Sequence, residues 1–186
     1  TVGTADAEPI IRKALALGGD EAIRVNTDSH DSFTIASQIA TIAKEGGYDL
    51  IFTGKETIDY NGSSIGGMVA ELLDMPYVSL AAKFEVEGNK ATITREIDGG
   101  LQTLKVKMPL IVTTDLRLNV PRYASLPNIM KAKKKPIDTK SPADYGVDIT
   151  PRLSVVKVTE PKKREAGEKV ADVDALIAKL KSVGAI

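Results

Sequence analysis

The sequence predicts an α/β protein: a Rossmann-like parallel sheet with an antiparallel extension and a long C-terminal arm. Three observations carry this. Up to residue 74, short apolar runs alternate with helically spaced segments, the pattern of a parallel sheet. From 80 to 108, apolar and polar residues alternate and the chain turns at glycines. Beyond Asn119 the alternation stops, and Pro121, Pro127, Pro136, Pro142, Pro151 and Pro161 punctuate the remainder of the chain.

Each element has its own signal. Ile10, Ile11, Ala14, Leu15 and Leu17 recur at helical spacing over 5–17, and Gly18-Gly19 supplies a stop. "EAIRVN" at 21–26 is a short strand. Asp31 or Ser32 then caps a second helix with Ile35, Ile39 and Ile42 on one face, ending at Gly46-Gly47. "DLIFTG" at 49–54 reads as a buried strand, followed by a polar loop and a third helix over 63–74. In the extension, Leu80, Ala82, Phe84 and Val86 alternate up to Gly88-Asn89. Ala91, Ile93, Arg95 and Ile97 alternate up to "DGG", and Leu104, Val106 and Met108 lead into "PLIVTTDL". In the arm, "LSVVKV" at 153–158 looks strand-like, and a last helix spans 173–183 with Leu176, Ile177 and Leu180 in need of a surface. A tail so divided cannot build its own core and must lie on its own domain or on a partner.

Composition narrows the function. The chain has 186 residues, with 25 Lys+Arg against 25 Asp+Glu, so basic behaviour must be local. Cysteine is absent, which excludes disulfides and thiolate sites. Tryptophan is absent and aromatics are 4%, too few for base-stacking platforms. The longest apolar runs, such as "MPLIV" at 108–112, are far too short to span a bilayer. The start, "TVGTADAEPIIRKAL", has no initiator Met and no signal-like run; "TVG" reads as a strand end, so the chain is expected to begin inside a fold.

Catalytic patterns are missing. His30 in "DSHDS" reads as a solvated loop or cap residue, because no nucleophile or ligand pattern completes it. There is no P-loop, no Ser/His/Asp motif, no zinc spacing and no calcium loop. The segment "GKETIDYNGSSIGG" at 54–67 holds more. It follows a predicted strand and precedes a helix, where open α/β sheets bind nucleotides. Gly62, Gly66 and Gly67 let backbone approach a ligand, and Ser63, Ser64 and the helix-start N–H groups suit phosphate. The plainer reading is a strand-to-helix loop with serine capping, and the spacing does not choose between the two.

"YASLPNIMKAKKKP" at 123–136 poses another problem. Pro127 suits a first helical turn, and lysines in a last turn complement the helix dipole. That leaves Leu126, Ile129 and Met130 unexplained on so short and basic an element. An apolar knob ringed by positive charge suits an acidic protein surface, where charge steers and one anchor seats. A nucleic-acid patch is the competing reading; it lacks aromatics and a basic domain.

At "REIDGGLQTLKVKMPLIVTTDLRLNVPRYASLPNIMKAKKKP", 95–136, the sequence closely resembles the β subunit of electron transfer flavoproteins. "EIDGG", the later "YGVD" and "ALALGGD" near the start fall in the family's order, and the likeness covers essentially all 186 residues. It implies an adenine nucleotide α-hydrolase-like domain over 1–118, lacking the family's N-terminal segment, and a recognition loop with arm over 119–186. It implies a heterodimer whose α subunit holds most of a FAD and is embraced by the C-terminal arm. It implies AMP in β, at positions matching Val2, Gly54, Lys55, Ile58, Asp59, Asn61, Gly62, Ser63, Ser64 and Ile65. Residues 114–136 match the loop that docks onto acyl-CoA and other flavin dehydrogenases. There Leu126 is the anchor, with Tyr123, Pro127, Ile129 and Met130 around it, and Lys131 and Lys134 fall where some relatives carry methylated lysines.

Two departures stand out. Ser64, Ile65 and Gly66 occupy the place of the family's Gln-Thr-Gly, so Ile65 loses a phosphate-binding hydroxyl that Ser63 or Ser64 must replace. Val120 stands where relatives often carry an acidic residue. The expected function is therefore an electron-carrier subunit, not an enzyme, passing electrons toward the respiratory chain. Its place is the cytoplasm in a bacterium or the mitochondrial matrix in a eukaryote, with no metal, no nucleic acid and no direct membrane insertion. A bifurcating relative with a second FAD in β and a nucleotide-handling α/β enzyme are the alternatives.

Overall fold

The computed structural model describes residues 1–57, 60–148 and 150–186. The chain divides into two units, Thr1–Ser154 and Val155–Ile186. A single 3-10 turn leads into α1 (Glu8–Ala16), then β1 (Ile23–Val25), α2 (Ser32–Gly46), β2 (Leu50–Gly54) and α3 (Ile65–Leu73). The strands β3 (Tyr77–Glu87), β4 (Lys90–Ile97), β5 (Gly100–Lys107) and β6 (Leu110–Thr114) come next, then α4 (Leu126–Lys134) and β7 (Asp138–Lys140). The second unit holds α5 (Val173–Ser182), capped by Asp172 on the Ala175 N–H at 2.8 Å.

The main sheet runs β2-β6-β3-β4-β5. Parallel pairing holds β2, β6 and β3, and antiparallel pairing holds β3, β4 and β5, as the alternation predicts. β6 lies inside the sheet and is apolar on both faces. Leu110 and Val112 join Val78, Ala81, Ala91 and Ile93 in one core, while Ile111 faces Ala36, Ala40, Val69 and Ala70 of the helices in another. Each such fully buried branched side chain stabilises by about 1.5–3 kcal/mol.

The register does more than pack. Leu50 pairs with Leu110 and Gly54 with Thr114, so β2 and β6 end side by side. The chain after each strand therefore leaves from the same end of the sheet. The Thr114 hydroxyl donates to the Thr53 carbonyl at 3.2 Å and fixes that end.

Four expectations need correction. The buried face of α2 is Ala36, Ala40 and Ala43, one residue on from the isoleucines, which are half-buried. Small side chains let the helix approach α3 closely, where Val69 and Ala70 meet Ala36 and Ala40 in one core. β2 pairs with β6 alone among the described residues, and Phe52 is 47% exposed, meeting Phe84 edge-on at 5.0 Å. In β3 the register shifts between Ala81 and Lys83, and Leu80 takes φ 59. That bulge turns Val78 and Ala81 inward where plain alternation points to Leu80 and Ala82. Finally, 153–158 forms no strand.

The segment after 119 lacks any strand alternation, yet part of it folds onto the first unit. β7 pairs in parallel with β1, Ile23 opposite Asp138, and Val2 bridges the other side of β1 at Val25. Ala132 of α4 is buried against Ile11, Leu15 and Ala16 of α1.

Candidate functional site

Two loops leave the shared sheet end, one after β2 and one after β6. The first, 54–65, ends at the start of α3. Two of its residues take the left-handed backbone that L side chains seldom adopt, Asn61 at φ 48 and Ser63 at φ 50. The Asn61 N–H donates to the Thr57 carbonyl at 2.9 Å, and the Ser63 hydroxyl donates to Glu56 at 3.1 Å. α3 then opens without help from its own cap: Ser64 makes no side-chain cap bond. α2 differs, since Asp31 accepts the Thr34 N–H at 2.9 Å. The early N–H groups of α3 are thus left for another acceptor.

A cavity of 340 Å³ lies at this helix start, within the range of small-ligand pockets. Val2, Gly54, Lys55, Gly62, Ser63, Ser64 and Ile65 all line it, so most of the residues singled out in the sequence come together. Asn61 shapes the loop but does not line the cavity, and Ile58 and Asp59 lie outside the described residues. Ile35, Ile39 and Val2 give it an apolar side; Thr57, Ser63 and Ser64 give it a polar one. Thr53 also lines it, and its hydroxyl, buried out of solvent reach, has no hydrogen-bond partner among the described residues. Gly66 is needed on packing grounds, since a Cβ there would stand 2.5 Å from the Thr113 methyl and 2.9 Å from Thr53 Oγ1.

Sequence reasoning missed six lining residues, Ser29, His30, Ser32, Ile35, Ile39 and Thr53. His30 is an exposed loop residue, as its sequence reads, and its ring lies 5.6 Å from that of Tyr60, tilted by 47°. No local signal ties this loop to 54–65, because the connection exists only once α2 and α3 lie side by side. Among the described residues, no group of three or more His, Asp or Glu side chains is placed to hold a metal ion.

The second loop, 114–136, begins with an ion-pair cluster. Asp115 is buried and accepts from the backbone and side chain of Arg117, both at 3.0 Å; Arg117 also pairs with Glu96. Lys55 of the first loop stands 3.7 Å from the same carboxylate. The Arg117 side-chain hydrogen bond, joined by its backbone N–H, holds the Asp115 carboxyl below the usual carboxylate range.

Further along, α4 presents Leu126 at 72% exposure, with Tyr123, Pro127, Ile129, Met130, Lys131 and Lys134 also exposed. The Ser125 hydroxyl receives the Asn128 N–H at its start. At its end Arg12 of α1 donates to three carbonyls, those of Ala132 at 2.9 Å, Lys133 at 3.2 Å and Lys135 at 3.1 Å. Lys135 returns a bond to the Gly19 carbonyl at 2.5 Å, and Arg122 donates to Leu17 at 3.3 Å. The charge complement at the helix end thus includes Arg12, which the sequence alone did not single out.

Known proteins bear on both loops. Residues 1–145 match the model of the electron transfer flavoprotein domain. The electron transfer flavoprotein subunit beta of Bradyrhizobium diazoefficiens is 52% identical over 183 residues, which is 98% of this chain and 74% of that protein. The subunit beta of Mus musculus is 47% identical over 189 residues, 99% of this chain and 74% of the relative. The mitochondrial subunit beta of Arabidopsis thaliana is 46% identical over 185 residues, 98% of this chain and 74% of the relative. The chain belongs to the β-subunit family of electron transfer flavoproteins, which are electron carriers rather than enzymes.

Proposed function

We propose that this chain is the β half of a heterodimeric electron transfer flavoprotein that holds AMP as a structural nucleotide and docks flavin dehydrogenases through 114–136. The observation that carries the nucleotide reading is the start of α3, where a helix with no side-chain cap opens onto a cavity of 340 Å³. These residues fit AMP. Its phosphate suits the α3 N–H groups and the Ser64 hydroxyl, and its base suits the side of the cavity lined by Val2, Ile39 and Ile65.

FAD, held mainly by the α partner, supplies the redox chemistry. The role of this chain is to dock and to position. Leu126 seats in the dehydrogenase, acyl-CoA dehydrogenases included, while Lys131 and Lys134 steer the encounter, and electrons then pass toward the respiratory chain. Residues 1–118 form the nucleotide domain in this scheme, and the arm within 119–186 lies on the α subunit. No helix among the described residues is long and apolar enough to cross a membrane. We place the carrier in the bacterial cytoplasm or the mitochondrial matrix, according to its organism.

The test is to release the nucleotides from the intact heterodimer and identify them by mass and flavin absorbance. One FAD with one AMP is expected. Two flavins would instead mark a bifurcating carrier, and no adenine nucleotide in β would defeat the reading.

A further inference from the structure

We infer that the loop between β1 and α2 is the second wall of the nucleotide cavity, with Ser32 a phosphate ligand and His30 closing over the nucleoside. This rests on the AMP reading above and assigns that ligand two residues outside 54–65.

The first observation is convergence on one glycine. A Cβ built on Gly62 would stand 3.9 Å from Ser32 Oγ and 3.7 Å from Ser64 Oγ, so hydroxyls from two separate elements flank the same bare backbone. Ser32 is the first residue of α2 and Ser64 the cap of α3, so two helix starts meet at that point. A phosphate between them would meet donors from both sides.

The second observation is how the nearby groups are spent. Ser63 already donates to Glu56, and Ile65 brings no hydroxyl. Asp31, which precedes Ser32, is buried and accepts from the Thr34 and Arg152 N–H groups, both at 2.9 Å. Lys55 lines the same cavity but stands 3.7 Å from the Asp115 carboxylate, with which it pairs. Ser32 and Ser64 are thus the hydroxyls on hand at the helix starts.

The third concerns the open side. His30 comes from the β1–α2 loop and Tyr60 from the opposing loop, and their rings meet at 5.6 Å. One aromatic ring from each wall offers a purine or ribose a stacking or edge contact that neither loop provides alone.

The test uses the full heterodimer stripped of nucleotide and titrated with AMP and with adenosine. Ser32→Ala is expected to weaken AMP about tenfold and to leave adenosine unchanged, because a hydrogen bond to a charged group is lost. Ser32→Thr restores a hydroxyl and should bind as the parent does, which separates ligation from any effect on folding. His30→Ala is expected to weaken both ligands, by about threefold. Parent-like AMP affinity in both Ser32→Ala and His30→Ala would overturn the inference while leaving the nucleotide reading intact. A parent protein that binds no AMP would overturn both.

Discussion

The loops after β2 and β6 leave the same sheet end and solve opposite problems. In 54–65 the chain leaves backbone donors unspent, because α3 opens with no side-chain cap. In 114–136 the helix ends are occupied. Ser125 takes the first turn of α4, Arg12 takes the last carbonyls, and only side chains face outward. A concave site gains from unsatisfied groups that a ligand completes. A convex site gains from a backbone that needs nothing, so that its partner meets a preformed surface. On the proposed reading, satisfaction of the backbone distinguishes the nucleotide pocket from the docking knob.

The contrast can be broken most sharply at Leu126. Leu126→Ala should slow electron transfer from a dehydrogenase by about 30-fold at sub-saturating partner, as expected for an interface anchor. Stability should change by no more than about 0.5 kcal/mol, and nucleotide content should stay the same. Stopped-flow transfer beside a urea melt decides it; transfer at the parent rate would remove Leu126 from the docking surface.

Gly66→Ala attacks the other region. The added methyl meets Thr113 and Thr53, so a loss of about 1–3 kcal/mol is expected, together with less bound AMP and unaltered docking once the protein is saturated with nucleotide. Chemical denaturation with and without AMP reads both effects.

A smaller effect is expected at the buttress. Arg12→Met keeps an unbranched apolar stem but loses three carbonyl contacts and the ion pair with Glu8, a cost of about 1–2 kcal/mol. Hydrogen exchange should rise in α4 and not in α3. Equal exchange in the two helices would mean that Arg12 does not hold the docking element.

The smallest effect tests the bridge between the regions. Asp115 is held below its ordinary value chiefly by the Arg117 side chain. The folded state therefore favours its charged form. Its contribution is present above the ordinary carboxylate value, about pH 4, and fades as pH falls through the lower folded value. Asp115→Asn should flatten that part of the acid limb in urea midpoints measured against pH, and an unchanged limb would deny the pair any role.

Much of this could be read from the chain, for identifiable reasons. The hairpins of β3, β4 and β5 were legible because Ala91, Ile93, Leu104 and Val106 alternate on the inward face. Helix α4 was legible from Pro127 in its first turn and α5 from the helical spacing of Leu176, Ile177 and Leu180. β7 was not, because "DTK" offers no apolar alternation and pairs through backbone alone with β1. The alanine face of α2 was hidden for a related reason: larger isoleucines dominate the pattern, yet smaller residues make the closest approach. At the site, Gly54, Gly62 and the serines announced themselves locally. Ser32, His30 and Arg12 did not, since each acts on residues 30 or more positions away.

The Arg12 contact has a consequence for how such a carrier could change partners. The guanidinium belongs to α1, outside the docking segment, and it sits on the carbonyl end where lysines would otherwise carry the electrostatic balance of α4. Lys131 and Lys134 are therefore free to be neutralised, modified or reversed in sign without melting the helix that bears them. The address can be rewritten while the envelope stays intact.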